Sequence, residues 1–418
     1  MMSTPMAPPH PRERAVVLLI AAVQFINILD FVMVMPMGPD FAAALGIPAS
    51  KLGLIGGSYT AAAAVSGLAG SFFLDRFDRR PALGLAMLGL VAGTALGGFA
   101  TGLPSLMAAR IVAGFFGGPA TSIAFSIISD VVPAERRGTA MGKVMGAFSI
   151  ASVLGVPAGL ELARHFGWRA PFFAVAGLGL VIAAASVFLL PPMRGHLHAP
   201  ASAGLSGVQR KLVPLRHLFA QRNVLLSWAM TFAVMAGGFV LIPNLSAFVQ
   251  YNLGYPRARL GLLYLFGGVV SFIATQTAGP LIDRYGSFRV GSFGTAALIA
   301  VVFGGFVLSP PLFPVIGIFV GMMFSLGFRN VAYNTLTSKV PRSDERARFM
   351  SIQSAVQHGA SATGAFVSSL MLTELPGGAL VGMGRVGLTS IGLTLTLPVF
   401  LFAVESAVRR RQPAPAIA

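Results

Sequence analysis

Twelve stretches of about twenty mostly apolar residues constrain this chain more than any other feature: six, a polar interval, then six more. They cover residues 15–37, 52–74, 82–101, 104–129, 141–163 and 171–191, then 223–248, 259–282, 290–309, 312–336, 349–372 and 384–406. Crossing a bilayer takes ~20 such residues as a helix, and inside lipid a helix satisfies all its own backbone polar groups. The expected fold is therefore an all-α polytopic membrane protein. Its parts are an N-tail (1–14), a six-helix bundle (15–191), a linker (192–222), a second bundle (223–406) and a C-tail (407–418). No basic segment leads into a short apolar stretch with a small-residue cleavage site, so no cleaved leader is expected.

Composition excludes the main alternatives. Only 10% of residues are charged, against ~25% in a typical soluble domain, and 55% are hydrophobic. A net charge of +17 suggests polyanion binding, but nucleic-acid binders do not bury their charge among long apolar runs. The chain has no cysteine, which excludes disulfides and thiolate metal sites.

The charge is explained by topology. With twelve spans both tails share one side. That side holds 22 of the 30 Lys and Arg, the opposite side holds six, and Arg110 and Arg329 fall inside spans. Basic residues favour the cytoplasm, so both termini and the linker are expected there.

The two halves repeat at an offset of 208 residues. Leu45-Gly46-Ile47-Pro48 through Leu54 recurs as Leu253-Gly254-Tyr255-Pro256 through Leu262. Leu74-Asp75-Arg76-Phe77 recurs as Ile282-Asp283-Arg284-Tyr285. Pro133, Arg137 and Met141 return as Pro341, Arg346 and Met350 after a one-residue insertion. Repeated six-helix halves are a transporter architecture, with the substrate site near the midplane between them.

These residues resemble the major facilitator superfamily over nearly the whole chain. Ser71-Phe72-Phe73-Leu74-Asp75-Arg76-Phe77-Asp78-Arg79-Arg80 is similar to its Gly-x-Leu-Ala-Asp-Arg-x-Gly-Arg-Arg signature, with Ser71 and Asp78 in place of two glycines. Asp tolerates left-handed backbone better than most residues, so the turn is expected to survive. The second copy keeps Gly279 and Gly286 but has Ser287 and Phe288 where the Arg pair stood. Arg110 in Leu106–Gly114 resembles the arginine motif of drug:proton antiporters. Gly146, Gly155, Pro157 and Gly159 resemble the antiporter packing motif of span 5, the proline one residue late. The resemblance implies two repeated bundles around a central cavity, a working monomer and location in a bacterial inner membrane. It also implies that the signature loops gate the cavity. Asp75 would face the start of span 11 near 347–351, and Asp283 the start of span 5 near 138–142. Arg76, Arg79, Arg80 and Arg284 would then bridge the halves or simply enforce topology.

Charges inside spans are costly and functional by default. Asp30 lies about 22 Å along span 1 and Arg110 about 9 Å along the oppositely directed span 4, at 1.5 Å per residue. Both fall at similar depth. The resemblance makes spans 1 and 4 neighbours, so Asp30 and Arg110 are expected to pair. An acid held against a cation changes its proton affinity when the cation moves or water enters, which suits proton coupling; a static pair is the alternative. His358 is a second candidate proton site.

Polar stripes mark the expected cavity wall. They comprise Gln24 and Asn27 below Asp30, Tyr59, Asn244 and Gln250, then Arg329, Asn330, Tyr333 and Asn334 in span 10, and Gln353 and Gln357 in span 11. Interhelical hydrogen bonding is the competing role for each. Arg329 stands out as a buried cation with no evident acid in its own half.

The expected function is proton-coupled efflux of drugs, sugars or small metabolites by alternating access; proton-linked import of a small organic solute is the alternative. The partners are lipid, protons and a small molecule, with no nucleic acid, metal or cofactor. The nearest approach to a phosphate loop, Gly138 through Lys143, has the wrong spacing and lacks Ser or Thr after the lysine. No zinc-protease or serine-hydrolase motif occurs, so no enzymatic activity is expected.

Overall fold

The computed structural model describes residues 11–74, 77–191, 193, 218–341 and 346–411; most of the expected linker and both outermost tails lie outside them. Among the described residues, twelve long helices occur where the apolar stretches fall. In the first half these are α1 (Pro11–Val34), α2 (Leu52–Phe73), α3 (Arg79–Gly98), α4 (Leu103–Val131), α5 (134–166) and α6 (Ala170–Leu189). The second half contains α7 (Arg222–Asn252), α8 (Leu260–Tyr285), α9 (287–307), α10 (Val315–Ser338), α11 (Arg346–Met371) and α12 (Met383–Arg411). Eleven are long and apolar enough to cross a membrane. The twelfth, α11, is long enough at 26 residues, but Ser351, Gln353, Gln357 and His358 dilute its apolar content. Among the described residues, the one pair of strands is a short ribbon between α11 and α12, with Thr373–Glu374 (β1) antiparallel to Leu380–Val381 (β2). Gly377 and Gly378 turn it at φ of 101° and 89°, which side chains rarely adopt.

Both halves carry the repeat as structure. Each of Pro48 and Pro256 precedes a one-turn 3-10 helix, Ala49–Lys51 and Arg257–Arg259, which leads into α2 and α8. At the other end of α2, the signature turn differs from the expected left-handed form. Asp78 has φ −57° and ψ 129°, and its carboxylate caps α3 by accepting from the Arg80 N–H at 3.1 Å. It also accepts from the Met193 N–H at 3.1 Å. Asp78 thus replaces glycine as a helix cap, which satisfies an N–H that the helix start leaves unpaired.

Small residues set the helix packing, since lipid tails supply no hydrophobic drive between helices. A side chain at Gly114 would run into the Tyr59 carbonyl, so α4 lies against α2 almost backbone to backbone; Gly364 does the same for α11 against Ala236 of α7. In α5, Gly155 and Gly159 face Leu29 and Met33 of α1, while Gly146 contacts only its own helix. Residues Ala151–Gly155 form a π turn immediately before Pro157, whose ring cannot fit a regular α-helical turn.

The face where α1 begins and α12 ends is called here the terminal face, and the other the distal face. The halves close on each other at the distal face. α2 meets α11 where Gly53 and Gly57 abut Ala365 and Phe366, and α8 meets α5 where Gly268 abuts Ser152 and Val153.

Candidate functional site

One polar cluster is built by the first four helices. Asp30 of α1 is wholly buried, as is Arg110 of α4 at 1% exposure. Their pairing is bidentate: Arg110 Nη1 donates to Asp30 Oδ1 and Nη2 to Oδ2, each at 2.9 Å, and Nη2 also reaches the Asp30 carbonyl at 3.2 Å. The Thr94 hydroxyl of α3 donates to Asp30 Oδ1 at 2.7 Å. The guanidinium carbon stands 4.6 Å from the centre of the Tyr59 ring on α2. That geometry attracts a cation to the ring face. The Tyr59 hydroxyl donates to Asn27 Oδ1 at 2.9 Å, and Asn27 Nδ2 donates to the Gly117 carbonyl at 2.8 Å and to Thr121 at 2.7 Å. A continuous chain therefore runs from Thr94 through Asp30, Arg110 and Tyr59 to Thr121. Asp30, Asn27 and Gln24 share one side of α1 because they recur every three residues. The Gln24 Oε1 is buried with no hydrogen-bond partner among the described residues. Arg110 Nε is likewise unpartnered.

The cluster reaches the second half through aromatic rings. Phe31 stacks on Tyr59 at 5.1 Å and on Phe239 of α7 at 6.0 Å.

The polar residues of the second half divide between two roles. Gln353 donates to Thr231 of α7 at 2.6 Å, and Asn244 donates to Ser368 of α11 at 2.6 Å; both tie α7 to α11. Their side-chain carbonyl oxygens, and that of Asn330, are buried without a partner among the described residues. Gln250 donates to the Ser246 carbonyl one turn back. Tyr333 is buried at 1% exposure, Gln357 and His358 are half-buried, and Asn334 is exposed. Arg329, also 1% exposed, reaches only neutral acceptors, Thr394 at 3.4 Å and the Val234 carbonyl at 3.3 Å. It has no acidic partner among the described residues.

The signature loops are placed differently from each other. Asp75 and Arg76 lie outside the described residues. Arg79 is buried and donates to Asp130 of α4 at 3.4 Å, within its own half. The half-buried Arg80 has its backbone N–H capped by Asp78. Asp283 is exposed and forms no hydrogen bond or ion pair with a described residue. Arg284 is exposed and lies over the Tyr285 ring at 5.2 Å.

The distal face holds contacts that sequence reasoning missed. Arg257 donates to Asp40 through two hydrogen bonds of 2.6 Å, and to the Leu160 carbonyl at 3.1 Å. Ala49 N–H donates to Glu374. Ala49 and Arg257 are equivalent positions of the repeat, 208 residues apart, and each grips an acid of the opposite half. Tyr251 donates to the Pro39 carbonyl at 3.4 Å. Among pairs of described residues, every side-chain hydrogen bond and ion pair joining the halves lies at this face.

Comparison with known proteins agrees with this architecture. The Major Facilitator Superfamily profile matches residues 20–365. The chain is 25% identical over 246 residues to the uncharacterized MFS-type transporter YtbD of Bacillus subtilis (strain 168), covering 59% of this chain and 60% of YtbD. It is 28% identical over 246 residues to a chloramphenicol resistance protein of Streptomyces lividans, covering 59% and 61% respectively. The matched stretch thus spans about three-fifths of each relative's length. Among solved structures, a bacterial homologue of the human lysosomal transporter Spinster, inward-facing and occupied, superposes with a TM-score of 0.72 at 16% identity. That match covers 98% of this chain and 100% of the homologue. A D-xylose-proton symporter superposes with a TM-score of 0.70 at 16% identity, covering 93% and 98%. The chain belongs to the major facilitator superfamily.

Proposed function

We propose that this major facilitator transporter exports small organic molecules across the bacterial inner membrane in exchange for protons, with both termini in the cytoplasm. The buried Asp30–Arg110 pair carries the reading. It is the one carboxylate taken deep into the spans, and it is held by four groups that a proton would release or reorganise: two guanidinium nitrogens, Thr94 and, through Arg110, Tyr59. Protonating Asp30 removes its charge and weakens the grip on Arg110. The guanidinium is then free to turn to a substrate group or to the unpartnered carbonyl of Gln24. Substrate and proton thereby compete for one region, which is the requirement for exchange. Gln353, Asn244, Asn330 and Arg329 offer polar atoms from the opposite half. His358 is proposed only as a secondary proton acceptor. The name of the Streptomyces lividans relative directs the choice of first substrate. A proton-linked importer would use the same acid with the opposite direction of solute flow.

The test uses inside-out vesicles acidified inside, with chloramphenicol as the first probe and neutral and cationic drugs and sugars after it. Export predicts that added substrate releases protons from the vesicles, and that Asp30→Asn abolishes this release while the purified protein stays monodisperse. Gradient-driven transport that persists unchanged in Asp30→Asn would overturn the role given to Asp30. Solute-driven proton movement in the opposite sense would favour import.

A further inference from the structure

A cleft of about 580 Å³ opens on the terminal face of the second bundle, far along the chain from the Asp30 cluster. It is walled by the end of α8, the start of α9, the end of α10 and the last turns of α12. Four basic side chains border it, Arg284, Arg289, Lys339 and Arg409, against two carboxylates, Asp283 and Glu405. Glu405 is already engaged, accepting from the Phe288 N–H at 2.6 Å and from Arg409. Arg284, Arg289 and Lys339 are exposed, and none forms an ion pair with a described residue. Among the described residues the cleft therefore carries four cations against two carboxylates, a surplus of positive charge at the membrane surface.

A second cavity of about 410 Å³ adjoins it and shares Tyr285 and Arg289 with it. Its remaining walls are apolar, chiefly Leu281, Phe293, Phe324 and Phe328. The three phenylalanines pack on one another, with centroids 5.5 Å apart for Phe293 and Phe328 and 4.7 Å for Phe324 and Phe328. Phe293 is 55% exposed, so the groove opens outward. Phe293 is six residues from the start of α9, and Phe328 and Phe324 are ten and fourteen residues from the end of α10. At 1.5 Å per residue the groove extends about 9–21 Å inward from the terminal face. One leaflet of a ~30 Å hydrocarbon core, about 15 Å deep, falls within that range.

We propose that the two cavities form one site for an anionic phospholipid of the leaflet on the terminal face. Its phosphate sits among Arg284, Arg289 and Lys339, and one acyl chain lies along the phenylalanine groove. Arg289 and Tyr285, common to both cavities, stand at the junction of headgroup and chain. The positive cleft selects an anionic headgroup over a zwitterionic one, because four cations face only two carboxylates among the described residues. The outward-facing apolar groove favours a lipid over a soluble phosphate, which has no acyl chain to place there. The site does not depend on the direction or the substrate of transport.

The test is native mass spectrometry of the purified full-length protein in detergent, titrated with phosphatidylglycerol and with phosphatidylcholine of the same acyl chains. Phosphatidylglycerol should bind preferentially. Basic residues near a membrane surface each attract anionic lipid, so Arg284→Gln/Arg289→Gln should weaken its binding by about thirtyfold. Arg284→Lys/Arg289→Lys should restore most of it. Leu281→Trp, which fills the groove and keeps every charge, should weaken it as well. Glycerol-1-phosphate should not displace the lipid. Equal binding of the two lipids would overturn the proposal. So would unchanged binding in Leu281→Trp, or displacement by glycerol-1-phosphate at matched concentration, which would mark a phosphate site. If the double glutamine variant does not fold, the lipid comparison and Leu281→Trp decide the matter.

Discussion

Removing the Asp40 carboxylate should open the distal face by a predictable amount. Asp40 and Arg257 share two hydrogen bonds of 2.6 Å between the halves, with side chains only 20% and 24% exposed. Hydrogen bonds to charged groups contribute about 1.5–3 kcal/mol each when buried. Partial exposure screens this pair toward the value of a surface ion pair, so ~1.5–2 kcal/mol is the working figure for the pair as a whole. Asp40→Asn should therefore raise the ratio of distal-open to distal-closed molecules by about 10–30-fold, at 1.4 kcal/mol per tenfold. The chain has no cysteine, so Ala44→Cys and Leu375→Cys can serve as the sole labelling sites, one on each half. Both positions are exposed on the distal face. Pulsed electron paramagnetic resonance between spin labels there should show a longer distance gaining population in Asp40→Asn. Arg257→Gln should have a larger effect, because it also loses the Leu160 carbonyl. Combining the two substitutions should add little to Arg257→Gln alone, since residues in one contact are not additive. A distance distribution in Asp40→Asn identical to the parent would refute the reasoning. Strict additivity in the double variant would show that the two residues act independently.

Two further outcomes follow from close contacts. Gly53→Ala would place a methyl group against the Ala365 carbonyl, backbone that cannot rotate away. The same labels should then report the α2–α11 seam parted, and a parent-like distribution would show that the seam can yield. Asp78→Ala should lower stability by about 1 kcal/mol through loss of the α3 cap, while Asp78→Asn should lose less. Thermal unfolding in detergent, compared across the three proteins, checks both.

The helices were legible because burying a polar backbone in lipid leaves so few solutions. Asp30 and Arg110 were legible for a related reason: two opposite charges at one depth have little choice but to meet. Thr94 was not, because a hydroxyl inside a span usually bonds its own helix. Thr94 is placed for this too, its single hydroxyl proton shared between the Leu90 carbonyl at 2.9 Å and Asp30 at 2.7 Å. The Asp40–Arg257 pair was hidden by distance along the chain, 217 residues, and by being counted among ordinary loop charges. Its formation depends on how two halves dock, which no local pattern encodes. The cap at Asp78 was misread as a left-handed turn because the family's glycine suggested the backbone, while the carboxylate's use lay in the start of α3.

The distal seam has a mechanical meaning. Gly53, Gly57 and Gly268 present almost no side chain to the opposite half, so the bundles meet there chiefly as bare backbone against the residues of α11 and α5. Parting such surfaces withdraws few knobs, chiefly the Phe366 ring from the notch at Gly57. The seam can therefore behave as a low-friction bearing, on which two rigid bodies rock. The few polar grips at Ala49 and Arg257 then act as detents, holding one angle of the rocker without resisting its travel once released.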